Sequence, residues 1–316
     1  MRAAVISESG RARLAEVPRP EPGSGEVRVK LEGCGVCGSN LPLWEGRPWF
    51  EYPLAPGAPG HEGWGRIDAL GAGVTGPQIG ERVAILSSRA FAEYDVASAS
   101  EVVELPPELD GMPFPGEALG CVMNIYRRCV IRPGDDVAVV GIGFLGALLT
   151  QLAAGAGARV IAVSRRDASL EAARRAGASE AISLTDPDAV VKKVESLTGG
   201  GCARVIEAVG AQETLDLASR LAAVRGRLIV AGYHQDGERR VDMQLWNWRG
   251  LDVVNAHERE PAVYVEGIRQ AVEAVRTGRL DPAPLYTHSL PLHRLDAALD
   301  ALRDRPDGFM KALVTA

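Results

Sequence analysis

Aromatic side chains are scarce, at 5% of the 316 residues, so any local cluster of them stands out. Cysteine is limited to five, an odd number in a long chain, which excludes a disulfide framework. Five free thiols are compatible with a reducing compartment, and a cytoplasmic location is expected. A basic surplus is missing. The chain has 35 Lys and Arg against 41 Asp and Glu, a net charge of −6, which removes the electrostatic ground for a nucleic-acid partner. Long apolar runs are missing too. The longest, Val137 to Leu149, is 13 residues broken by glycine, short of the roughly 20 that a bilayer requires. Four apolar residues, Ala3 to Ile6, precede Ser7, so no secretory leader is expected. What remains is an ordinary globular composition, 46% hydrophobic and 24% charged, with 36 Gly and 20 Pro for turns.

Two styles of sequence follow one another. Up to about residue 110 the chain consists of short β-type runs between Gly/Pro turns. Val27, Val29 and Leu31 alternate with Arg28 and Lys30, the period of a half-buried strand. From about residue 133 buried strands alternate with helices: Asp136–Val140, a helix from Phe144, Arg159–Val163, a helix from Ala168, and so on through Arg227–Ala231. That alternation predicts an α/β fold with a doubly wound parallel sheet behind a β-rich first half. Leu251–Val254 is a candidate last strand, and amphipathic helices are expected at Val265–Thr277 and near Leu295–Leu302.

Gly141-Ile142-Gly143-Phe144-Leu145-Gly146 joins the strand Val137–Val140 to the next helix, the context that gives GxGxxG its meaning as a dinucleotide-binding turn. Gly141 allows the tight turn, Gly143 lets a pyrophosphate approach the backbone, and Gly146 lets helix and strand pack closely. At the end of the next strand an NAD site wants a carboxylate on the ribose. Here stand Ser164, Arg165 and Arg166, a set suited to a 2′-phosphate and so to NADP(H). Asp167, the next residue, keeps NAD(H) open as the alternative.

Three further segments carry metal-type ligands: Cys34-Gly-Val-Cys37-Gly-Ser39-Asn40, Gly60-His61-Glu62-Gly63, and Gly116-Glu117-Ala-Leu-Gly120. Thiolate, imidazole and carboxylate together suit zinc. With GVCGSN, GHE, GEALG and GIGFLG in that order along essentially its whole length, the chain resembles the zinc-dependent medium-chain dehydrogenases/reductases of the alcohol and polyol dehydrogenase type. The resemblance implies a GroES-like catalytic domain (1–120), a Rossmann domain (121–254) and a C-terminal return to the catalytic domain (255–316). It implies one Zn2+ per chain on Cys37, His61 and Glu117, with Glu62 as fourth ligand or displaced by water. Ser39 would hydrogen-bond the substrate oxygen, Cys121 would lie against the nicotinamide, and Lys311 would reach the cofactor phosphates. A small alcohol or ketone as substrate and a homodimer or homotetramer as assembly complete the expectation.

Three departures from the family pattern bear on mechanism. No four-cysteine structural lobe is present between Arg89 and Asp110. Asn40 stands where an Asp is usual, and as a neutral amide it can still accept an imidazole N–H. Pro42 stands where many members have the histidine that ends the proton relay, so the proton must leave through water or another side chain, His257 being the candidate. The missing relay histidine also motivates an alternative, a lyase or isomerase using bound NAD(P) transiently. Trp44, Trp49, Phe50 and Tyr52, and separately Trp246 and Trp248, are candidates for lining a substrate pocket or for packing between domains or subunits.

Overall fold

The computed structural model describes residues 1–316. The chain opens with β1 (Arg2–Glu8), β2 (Arg11–Glu16), β3 (Glu26–Val36), the short helix α1 (Leu41–Trp44), β4 (Glu62–Leu70), β5 (Arg82–Ile85), β6 (Tyr94–Ser98), β7 (Val102–Glu104) and α2 (Gly116–Cys129). The alternating stretch follows as β8 (Asp136–Val140), α3 (Phe144–Gly155), β9 (Arg159–Ser164), α4 (Asp167–Arg175), β10 (Glu180–Ser183), α5 (Pro187–Thr198), β11 (Cys202–Glu207), α6 (Gln212–Leu221), β12 (Ala222–Val230), α7 (Met243–Arg249) and β13 (Asp252–Asn255). The last segments are α8 (Pro261–Arg276), β14 (His288–Pro291), α9 (Leu295–Asp304) and β15 (Ala312–Thr315). Two compact units result. The first comprises residues 1–121, 259–278 and 282–316, the second residues 122–258 and 279–281.

In the first unit a seven-stranded sheet runs β14-β15-β3-β4-β5-β7, with β6 also on β3, while β1 and β2 form a separate ribbon. Strand β3 is the spine, and its alternation puts Val27, Val29 and Leu31 into a core with Ile67, Val83, Ile85 and Phe91. Its far end brings chemistry together. Gly35 pairs with Glu62 and Val36 with Ala312, so the Cys37 turn, the His61–Glu62 strand start and the approach to β15 meet at one sheet end. The sequence allows this crowding through glycine. A Cβ on Gly33 would stand 2.5 Å from the Trp64 ring, and one on Gly35 would stand 1.7 Å from Glu62 Oε2.

The second unit is a six-stranded parallel sheet in the order β10-β9-β8-β11-β12-β13. Its central strands β8 and β9 are continuous buried Val/Ile/Ala runs, as expected where helices cover both faces. Helix boundaries are legible: Asp186 caps α5 by accepting the Asp188 N–H, Pro187 takes its first position, and Gly199 ends it with φ +74°. The chain leaves β8 toward β9 and β10, then returns to start β11 on the other side of β8. That reversal between β8 and β11 is where a doubly wound sheet opens a crevice at its carboxyl ends.

Candidate functional site

One atom each from Cys37, His61 and Glu62 lies within 4.8 Å of the others, the only such group suited to a metal ion. Cys37 sits at the turn after β3, where its N–H donates to Asn40 Oδ1 at 3.1 Å. Asn40, buried at 2% exposure, thus fastens the metal loop rather than accepting from the imidazole as expected. His61 Nδ1 instead lies 2.8 Å from the Pro59 carbonyl, a partner that only accepts. Nδ1 therefore carries a proton, and Nε2 faces the cluster. The Ser39 hydroxyl lies 3.4 Å from that Nε2.

The electrostatics call for a cation. Burial alone would lower the His61 pKa, but the hydrogen bond and charge of Cys37, with Glu117 and Glu62 behind them, push it up to about 10. Burial raises the Glu117 carboxyl above the usual range, only partly offset by His61. A thiol, an imidazole with its outer nitrogen tied to a carbonyl and two nearby carboxylates form a donor set that fits zinc. Glu117, at the start of α2, shares a pocket with His61, and its Oε1 accepts from the Cys121 thiol at 3.3 Å. That contact is where the structure places Cys121.

Lys311 differs from expectation. Its ammonium is buried and straddles both Glu62 oxygens at 2.6 and 2.7 Å. Because β15 is laid antiparallel on β3, the residue just before it is delivered to the metal loop, and its side chain is spent on Glu62 rather than reaching for phosphate.

The pocket beside His61 and Glu117 measures about 340 Å³ and is otherwise lined by Leu86, Ser87, Glu101, Arg259, Pro261 and Tyr264. None of the six aromatics singled out in the sequence lines it. Trp44 is buried at 1% exposure with its indole N–H on Asp300, Tyr52 donates to the Leu43 carbonyl, and Trp246 donates to Ser219. Trp49 and Trp248 are exposed. Glu101, Arg259 and Tyr264 went unnoticed because no local motif marks them; only the return of α8 to the first unit brings them to the pocket.

In the second unit each fingerprint glycine has a distinct physical cause. Gly141 has φ +97°, and a Cβ there would meet Val209 at 2.2 Å. A Cβ on Gly146 would stand 2.0 Å from the Gly141 carbonyl oxygen. Gly143, just before Phe144 and Leu145 at the start of α3, has nothing within 4 Å, the open approach that a pyrophosphate needs. Ser164 ends β9, buried, and its Oγ accepts the Arg166 N–H at 3.4 Å; Arg165 is exposed and Arg166 half-buried. Asp167 opens α4. His257 lies beyond β13 with Nε2 3.0 Å from the Gly232 carbonyl and its ring tilted on Tyr233.

Known proteins match the chain along most of its length. Residues 23–167 match the alcohol dehydrogenase GroES-like domain model, and residues 145–273 match the zinc-binding dehydrogenase model. An alcohol dehydrogenase of Moraxella sp. (strain TAE123) is 32% identical over 267 residues, covering 73% of this chain and 77% of that protein. A sorbitol dehydrogenase of Halalkalibacterium halodurans is 28% identical across 96% of both chains. A zinc-binding dehydrogenase target from Sinorhizobium meliloti 1021, solved bound to NADP, superposes with a TM-score of 0.84 at 26% identity, covering 100% of this chain and 99% of that one. The chain belongs to the zinc-dependent medium-chain dehydrogenase family, oxidoreductases that act on alcohols or polyols.

Proposed function

We propose that the chain is an NADP(H)-preferring dehydrogenase of secondary alcohols or polyols, or a reductase of the matching ketones, with one zinc per chain. The carrying observation is the Cys37–His61–Glu62 group within 4.8 Å, beside a pocket that His61, Ser87, Glu101, Glu117, Arg259 and Tyr264 help to line. Cys37, His61 and Glu117 would hold the ion, with Glu62 as fourth ligand or displaced by water; Glu117 faces the same pocket as His61. Zinc, when bound, supplies Lewis acidity toward the substrate oxygen, and the nicotinamide supplies hydride exchange. Ser39, on the loop of Cys37, hydrogen-bonds the substrate hydroxyl and takes its proton onward. Pro42 cannot continue that path, so the proton leaves to water or to His257. The Gly232 carbonyl occupies His257 Nε2, leaving Nδ1 as the basic nitrogen. The relatives above are all dehydrogenases, and no observation favours the lyase or isomerase alternative.

The preference for NADP(H) rests on Ser164, Arg165 and Arg166, and a relative solved with NADP supports it. An exposed Trp248 and the open edge of β13 support a homodimer or homotetramer, and five free cysteines support a cytoplasmic setting. No helix is long and apolar enough to cross a membrane. Metal analysis of purified protein, together with cofactor-difference scans against polyols, sugars, amino alcohols and ketones, tests the whole reading. One zinc per chain and net NADPH turnover are expected. Two zincs, or no turnover of free cofactor with any of these substrates, overturns it.

A further inference from the structure

A second dense set of titratable side chains lies at the carboxyl edge of the parallel sheet, within the second unit. Glu207 ends β11 and is fully buried. Its Oε1 accepts the N–H groups of Val209 (2.9 Å) and Gly210 (2.8 Å) and the Thr214 hydroxyl (2.8 Å). Its Oε2 lies 3.0 Å from His234 Nε2. Across the imidazole, Arg239 Nε donates to Nδ1 at 2.8 Å, while Arg239 Nη2 donates to the Gly210 carbonyl at 3.0 Å and pairs with Asp236. A guanidinium can only donate. Nδ1 therefore holds the lone pair, and Nε2 holds the proton directed at Glu207. The ring is a bridge with one donor and one acceptor between a buried carboxylate and a guanidinium.

These bonds join the loop after β11 to the segment after β12. Gln212 and Arg240 repeat the joint with a reciprocal pair at 2.8 and 3.0 Å, and His257 adds the loop after β13 through the Gly232 carbonyl. The packing leaves no slack. A Cβ on Gly232 would stand 2.2 Å from Gly210 N and 2.6 Å from Glu207 Oε2, and the loop after β11 already presses Val209 against Gly141. In a doubly wound sheet the half built on β8, β9 and β10, with its glycine turn and Ser164–Arg166, takes the adenosine side. The half built on β11, β12 and β13 takes the other mononucleotide.

We propose that Glu207, His234 and Arg239 are positioning residues for the nicotinamide half of the cofactor, holding two loops of that rim in one shape, to which His257 ties a third. The proposal rests on the dinucleotide reading above. Direct titration of purified variants tests it, with NADPH and NADH followed by fluorescence and with 5′-AMP and adenosine 2′,5′-bisphosphate followed by calorimetry. His234→Leu and Arg239→Met should weaken NADPH and NADH by the same factor, about tenfold, by losing charge-assisted bonds. Binding of the two adenine-half ligands should match wild type. Thr214→Val, which removes one donor from Glu207, should show a smaller loss of the same kind. His234→Gln or His234→Asn, whose amide keeps one donor and one acceptor, should restore affinity. Unchanged dinucleotide affinity in His234→Leu, equal weakening of the adenine-half ligands, or no restoration by either amide overturns the proposal. A wild-type chain that binds neither NADPH nor NADH overturns the dinucleotide reading instead.

Discussion

Lys311 and Glu62 are 249 residues apart in the chain, yet form a buried ion pair at the edge of the metal cluster, with the ammonium within 2.7 Å of both carboxylate oxygens. Burial would by itself lower the lysine pKa. The charges of Glu62 and Cys37 outweigh that and raise it, so the ammonium stays charged. Removing one partner of such a pair leaves the other charge buried and uncompensated. Lys311→Met should therefore cost roughly 3–5 kcal/mol of unfolding free energy. The double variant Lys311→Met/Glu62→Gln should recover much of it. Denaturant melts of chelator-treated protein make the comparison, and equal stability of wild type and Lys311→Met would contradict it.

Gly35 makes room for that carboxylate. Gly35→Ala puts a methyl group 1.7 Å from the present position of Glu62 Oε2, and the carboxylate must move. Glu62 is a candidate ligand beside Cys37 and His61, so zinc affinity should fall by about 10–100-fold, as for losing a group that holds or orients a metal. Competition with a chromophoric chelator measures it. An affinity within twofold of wild type would show that Glu62 plays no part in holding the ion.

Arg165 and Arg166 should read the 2′-phosphate. Replacing both with Ala removes contacts of about 1.5–3 kcal/mol each where they are hydrogen-bonded. NADPH affinity should fall at least tenfold while NADH affinity stays near wild type. Parallel titrations decide, and NADH bound tenfold more tightly than NADPH by wild type would assign the site to Asp167 instead.

His257→Ala should lower the alcohol-oxidation rate by about 10²-fold if that histidine ends the proton path. Ser39→Ala should slow the reaction whichever base is used. An oxidation rate unchanged in His257→Ala assigns the onward path to water.

Order along the chain was enough to read the two-part architecture and the dinucleotide turn. Strand period, glycine spacing and helix starts are local properties; Gly141, at φ +97°, and Gly146, against the Gly141 carbonyl, show it. Cys37, His61 and Glu62 were readable as ligand types because short motifs carry them. Pairing partners across the fold were not readable. Only the antiparallel register of β15 on β3 turned Lys311 toward Glu62, and only the loop geometry gave Asn40 to the Cys37 N–H and Pro59 to the imidazole. The aromatics were left open in the sequence because a large ring is as useful for packing as for a pocket wall, and burial, which decides between them, is a property of the whole core. Glu101, Arg259 and Tyr264, and the Glu207–His234–Arg239 bridge, emerged only when segments far apart or on successive loops were folded into contact. Side-chain hydrogen bonds between such segments follow from tertiary register, which no local pattern encodes.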